Sequence, residues 1–91
     1  GIEENLLNYQ PFVYPNPASG KAFIDLPQNV SPNDLVINIY NVYGQLMDVK
    51  YEPNGQRFSL DTSKLLKGVY LFELGFNNKP DSFAKGKFMV E

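Results

Sequence analysis

The sequence predicts an all-β fold, an antiparallel sandwich of two packed sheets. Three observations support this prediction. Apolar and polar residues alternate in short runs with the two-residue period of half-buried strands. Gly, Pro and Asn interrupt these runs about every 8–12 residues, and no run shows the period of a long helix. About seven short strands without a long helix are typical of an immunoglobulin-like sandwich with Greek-key strand order.

The chain divides into a leader and one domain. Residues 1–10 are predicted to be a linker, and residues 11–91 are predicted to form the sandwich. The first strand, 12–14, runs into Pro15 and Pro17, neither of which can donate a backbone hydrogen bond. We therefore expect this strand to end at the prolines or to lie at a sheet edge.

The next two strands, 21–26 and 35–42, alternate clearly and are joined by a loop rich in Pro and Asn. Each is predicted to be buried on one face only. Their core-facing residues are expected to be Ala22, Ile24, Leu26, Leu35, Ile37 and Ile39.

Two glycine turns organise the middle of the chain. Gly44 supplies the positive φ of a tight turn, so the strand 46–51 is predicted to pair back onto 35–42 as a hairpin. Asn54-Gly55 is a strong hairpin signal before the strand 57–60.

The segment 61–68 breaks the strand pattern, and Asp61 or Ser63 is expected to cap a single helical turn that Gly68 ends. Two strands follow, at 69–74 and 83–90. The first of them is predicted to bury Tyr70, with its hydroxyl at the rim of the core, together with Phe72 and Leu74.

Composition argues against several classes of function. The net charge is −2 and no basic run can neutralise phosphates, so we expect no nucleic-acid partner. The absence of Cys and His removes thiolate and imidazole catalysis and the common transition-metal ligands. The acidic residues show neither paired-carboxylate nor calcium-loop spacing. No apolar stretch approaches the roughly 20 residues that span a bilayer. We expect no enzyme, no cofactor, no metal and no membrane insertion.

Several features allow both a structural and a functional interpretation. Pro15-Asn16-Pro17 is either a rigid turn that protects a sheet edge or a recognition element. In the last strand, Lys85 and Lys87 share one face and alternate with Phe88 and Val90. The lysines either protect this edge against aggregation or form a docking strip.

Four patches of the sequence stand in an informative order. They are Val13-Tyr14-Pro15-Asn16-Pro17, Tyr43-Gly44-Gln45, Leu65-Leu66-Lys67-Gly68-Val69-Tyr70 and Lys85-Gly86-Lys87-Phe88-Met89-Val90. Each patch alone is common. Their order and spacing over 12–91 resemble the type A C-terminal sorting domain of proteins exported by the type IX secretion system.

The resemblance implies a delivery signal rather than a catalyst. It implies a passenger domain upstream, transit through the periplasm, and passage through an outer-membrane translocon to the cell surface or the medium. A sortase-like cysteine peptidase then usually removes the domain, and the cargo is released or joined to lipopolysaccharide. Cleavage is expected near or before residues 3–10, where a flexible leader suits a peptidase.

The resemblance also assigns roles to residues. Those expected to be recognised by the translocon or peptidase are Lys85, Lys87, Phe88, Met89 and Val90. Those expected to hold the shape of the domain are Pro15, Asn16, Pro17, Gly44, Gln45, Gly68, Val69 and Tyr70. The domain is expected to be a monomer or a weak strand-exchanged dimer.

The alternative function is an accessory immunoglobulin-like module that binds carbohydrate or protein and stays on a secreted protein. Tyr9, Tyr40 and Tyr51 are its candidate sugar-stacking residues.

Overall fold

Eight strands and one short 3₁₀ helix make up the computed structural model, which describes Leu6 and residues 8–91. The strands are β1 Val13–Ser19, β2 Lys21–Asp25, β3 Leu35–Tyr40, β4 Leu46–Met47, β5 Tyr51–Pro53, β6 Arg57–Asp61, β7 Gly68–Phe76 and β8 Ser82–Val90. The 3₁₀ helix, Pro32–Asp34, lies in the predicted loop before β3.

The strands form two sheets that share β1. The first sheet has the order β5-β6-β2-β1, and the second has the order β4-β3-β7-β8-β1. All pairs are antiparallel except the parallel contact of β1 with β8. The predicted all-β sandwich is therefore confirmed, and the chain crosses between sheets in the Greek-key manner of immunoglobulin-like domains.

The core lies between the two sheets and is built by alternate residues of both. All nine residues predicted to face it on β2, β3 and β7, or just after β2, are buried. Phe58, Phe72 and Phe88 occupy its centre. Burying one such side chain contributes roughly 1.5–3 kcal/mol, so these three rings are a large share of the hydrophobic stabilisation.

The single strand predicted at 46–51 is wrong, because the segment contributes to both sheets. Leu46–Met47 pairs with the end of β3, whereas Tyr51–Pro53 pairs with β6 in the other sheet. Half-buried Val49 packs against the core between them. Alternation cannot reveal this change of partner, since both halves keep one apolar face. The hairpin turn at Gly44 is confirmed, with φ of 81°.

Strand β1 does not end at its prolines, although this was one of the two predicted outcomes. It continues to Ser19 through two cis peptide bonds, Tyr14–Pro15 and Asn16–Pro17. Before the prolines Tyr14 pairs with Phe23 of β2, and after them Ala18 pairs with Val90 of β8. Because proline lacks an N–H group, this stretch is where β1 can leave one ladder and join another.

The helical turn predicted at 61–68 is a non-helical turn. The Asp61 carboxylate accepts hydrogen bonds from the Ser63 N–H (3.0 Å) and hydroxyl (2.6 Å), as a capping residue does. These two bonds hold the pKa of Asp61 below its ordinary value. The Leu65 N–H then donates to the Thr62 carbonyl, and the chain enters β7 without completing a helix.

Gly86 provides a direct test of core packing. It lies opposite Phe72, and a Cβ atom at position 86 would stand 2.7 Å from Cζ of that buried ring. We expect Gly86→Ala to lower the free energy of unfolding by about 1–3 kcal/mol, because the buried ring must shift to make room for the methyl group. Urea titration at an unchanged m-value measures this loss. Met89→Ala, on the exposed face of the same strand, is the control, and equal stability of the two variants would contradict the packing argument.

Candidate recognition site

Strand β8 presents two different faces. Phe88 and Val90 point into the core and are 1% and 3% exposed, whereas Met89 is 48% exposed and Lys85 and Lys87 are also exposed. All five were expected to be recognised by a partner. In the folded domain only the two lysines and Met89 are available for contact, and Phe88 and Val90 anchor the strand that carries them.

The exposed face of β8 continues across β7 and β3. Met89 lies opposite Val69, Lys87 opposite Leu71, and Lys85 opposite Glu73. Tyr40 of β3 pairs with Leu71, and both residues line an open groove of about 670 Å³ over this part of the sheet. The surface is therefore apolar along its middle, and Lys87 faces an aliphatic neighbour rather than a carboxylate.

Asn16 joins the first sequence patch to the last one. Its side-chain oxygen accepts a hydrogen bond from the Met89 N–H at 2.9 Å, although the two residues are 73 positions apart. Two residues further along each strand, the Glu91 N–H donates to the Ala18 carbonyl at 3.0 Å. The side chain of the Asn between the two prolines thus supplies the acceptor that holds the end of β8.

Tyr70 forms a tyrosine corner at the start of β7. Its hydroxyl donates to the Leu66 carbonyl at 2.7 Å, and its ring packs against Phe88 with centroids 6.0 Å apart. A tyrosine at this strand, bonded to backbone a few residues upstream, is a hallmark of immunoglobulin-like sandwiches. Gly68 pairs with Val90, so the Gly-Val-Tyr patch supports the last residues of β8 directly.

Gly44 and Gln45 belong to a turn that Asn41 organises. The Asn41 side-chain oxygen accepts from the N–H groups of Tyr43 (2.9 Å) and Gln45 (3.0 Å), and its amide donates to the Gln45 side chain (2.7 Å). Asn41 was not among the residues predicted from the sequence, although an Asn two to four residues before a turn glycine is an available signal.

The three candidate sugar-stacking tyrosines have separate environments. Tyr9 is half-buried against Phe83, and its hydroxyl donates to the Asp25 carbonyl at 2.6 Å. Burial, with the Asp25 charge second, raises the pKa of Tyr9 well above its ordinary value. Tyr40 lies on the second sheet, whereas Tyr51 lies in the first sheet with its ring edge-on to Phe58. They do not form one platform.

Among Leu6 and residues 8–91 no helix is long and apolar enough to cross a membrane. The same residues contain no group of three acidic, His or Cys side chains placed to hold a metal ion.

Comparison with known families gives the surface its context. A family model described as a secretion system C-terminal sorting domain matches residues 12–91. The chain belongs to this family. Membership identifies it as a type IX secretion sorting signal and implies export through the outer membrane to the cell surface or extracellular space. It also implies a preceding passenger domain and interaction with the secretion machinery. No curated protein matches the chain.

Asn16 tests how the sorting domain holds its last strand. Asn16→Ala removes the acceptor of the Met89 N–H, and we expect a loss of about 0.5–1.5 kcal/mol in the free energy of unfolding. Hydrogen exchange at the Met89 amide should also become faster. Asn16→Asp keeps an oxygen at this position and is the matched control. If the Met89 amide exchanges equally fast in wild type and Asn16→Ala, the side-chain bond does not hold the strand.

The tyrosine corner can be tested by removing the Tyr70 hydroxyl while keeping its ring in the core. Tyr70→Phe keeps the ring on Phe88 but leaves the Leu66 carbonyl without its donor, so we expect a loss of about 1 kcal/mol. Urea denaturation measures the difference. Tyr43→Phe is the control, because the Tyr43 ring is 86% exposed. An equally small effect of both substitutions would contradict the assignment of a tyrosine corner.

Proposed function

We propose that this sorting domain directs a passenger protein through the type IX translocon by contacts on the exposed face of β8. Lys85, Lys87 and Met89 make these contacts, and the domain itself takes no part in catalysis. The observation that supports the proposal most directly is the division of β8 into a buried anchoring face and an exposed face with two lysines. A signal read in the folded state needs residues that are exposed and also held in place.

The remaining motif residues act by holding this face in its geometry. Asn16 bonds the Met89 backbone, and Tyr70 packs under Phe88. A partner that reads the spacing of the lysine and methionine side chains therefore meets a rigid strand, which lowers the entropic cost of binding.

We further propose that a surface peptidase removes the domain by cleavage upstream of Tyr9. The Tyr9 ring contacts Phe83 and its hydroxyl bonds the Asp25 carbonyl, so the packed body of the domain already includes Tyr9. A peptidase needs an extended backbone, which a packed residue does not offer. Cleavage was expected near or before residues 3–10, and in that region residues 1–5 and 7 lie outside the described part of the chain. The cargo is then released or attached to the surface.

The test is a secretion assay with a fluorescent reporter placed between a signal peptide and residues 1–91, in a Gram-negative host that has the pathway. We expect the wild-type fusion to deliver the reporter to the surface or medium without the mass of this domain. A reporter that stays in the periplasm with the domain attached would contradict the sorting function and favour an accessory module.

The role of β8 needs surface substitutions rather than a truncation, because removing residues 87–91 also removes Phe88 and Val90 from the core. We expect the triple variant Lys85→Ala, Lys87→Ala, Met89→Ala to fold and to retain the reporter in the periplasm. Lys64→Ala, Leu66→Ala, Lys67→Ala is the matched control, since it removes the same kinds of exposed side chain from the turn before β7. Equal export of both triple variants would rule out the β8 face as the contact.

A further inference from the structure

Strand β8 has an open backbone edge in its middle. In a strand, the N–H and C=O groups of consecutive residues point to opposite sides, and those of every second residue point to the same side. The N–H groups of Met89 and Glu91 point toward β1, where they meet Asn16 and Ala18. Lys87 and Lys85 lie two and four positions before Met89, so their backbone N–H and C=O groups also point away from β7. Among the described residues, β1 pairs with β8 only at Val90, which leaves these two lysines at an unpaired edge.

Contacts at both ends limit this edge to a short window. At the C-terminal end, the Asn16 side chain and the Ala18 carbonyl occupy the edge from Met89 onward. At the N-terminal end, the Tyr9 ring packs on Phe83. The window therefore runs from residue 84 to residue 88, and it is long enough to pair with an extended segment of about five residues.

The side chains beside the window define which strand fits there. On the outer face a new strand would place its residues next to Lys85 and Lys87, where acidic side chains are favourable. On the inner face it would lie beside Ala84 and Gly86. The Phe72 ring already fills the space over Gly86, so small apolar side chains fit best there. A second copy of β8 would set lysines against lysines, so self-association through this window is disfavoured.

We propose that the window 84–88 of β8 is a strand-addition site for an extended segment of the secretion machinery in which acidic residues alternate with small apolar ones. Main-chain hydrogen bonds to Lys85 and Lys87 give affinity, and the two ammonium groups select the partner. This inference rests on the proposed function and specifies how the exposed face of β8 is read.

A peptide experiment tests the binding mode directly. The probe is a seven-residue peptide of alternating Glu and Ala, added to the ¹⁵N-labelled chain 1–91. We expect slower hydrogen exchange at the Lys85 and Lys87 amides, weaker binding at high salt, and no binding of the matching Lys-Ala peptide. Two further peptides carry backbone N-methyl groups on alternate residues, in either register. One register should lose binding because it blocks the donors that face β8. Equal binding of both registers, or no binding of the Glu-Ala peptide, would overturn the proposal.

The secretion assay separates this inference from the sorting function. Lys87→Ala removes the charge but keeps the backbone N–H at the open edge. Lys87→Pro removes both the charge and this N–H, and it leaves the donors of the β7–β8 hydrogen bonds in place. We expect Lys87→Pro to export at least about tenfold less reporter than Lys87→Ala, with both variants folded by circular dichroism, since a tenfold change corresponds to only 1.4 kcal/mol. Failure of the wild-type fusion would defeat the sorting function. Export of wild type together with equal export of the two variants would overturn strand addition alone.

Discussion

The connection of β1 to β8 is the contact on which the rest of this domain depends. Ala18 pairs with Val90, and the Asn16 side chain bonds the Met89 N–H, so the first strand closes the sheet that carries the last one. The same strand pairs with β2 in the other sheet. Without this shared strand the two sheets would be linked on that side only by apolar packing, and Phe88 and Val90 would have no fixed register over the core.

In the proposed function, stability and recognition use alternate residues of one strand. Phe88 and Val90 bury their side chains, while Lys85, Lys87 and Met89 remain exposed between and before them. The two-residue period of a strand makes this division possible, because neighbouring side chains point to opposite faces. It also explains why a deletion at the end of the chain is a poor probe of recognition: it removes core and surface together.

Most of the motif residues on which the resemblance to the sorting family rests have a structural role. Tyr70 forms a corner, Gly44 and Gln45 form an Asn41-centred turn, and Asn16 fixes a strand end. At each of these positions the hydrogen bond or the backbone conformation depends on the residue type. In the proposed function, the surface offered to a partner is smaller than the set of motif residues, and it is concentrated on β8.

Local periodicity and backbone preference were enough to predict the fold class, the faces of β2, β3, β7 and β8, and the glycine turn at Gly44. Which strands pair with each other became clear only from the three-dimensional fold. The fold divided 46–51 between two sheets, carried β1 past its prolines, and brought Asn16 to Met89 across 73 residues. Which strands pair depends on how much apolar surface segments far apart in the sequence bury together. A short stretch of sequence carries no information about this. The family resemblance placed Phe88 and Val90 among the recognised residues, whereas packing against the other sheet buries both side chains.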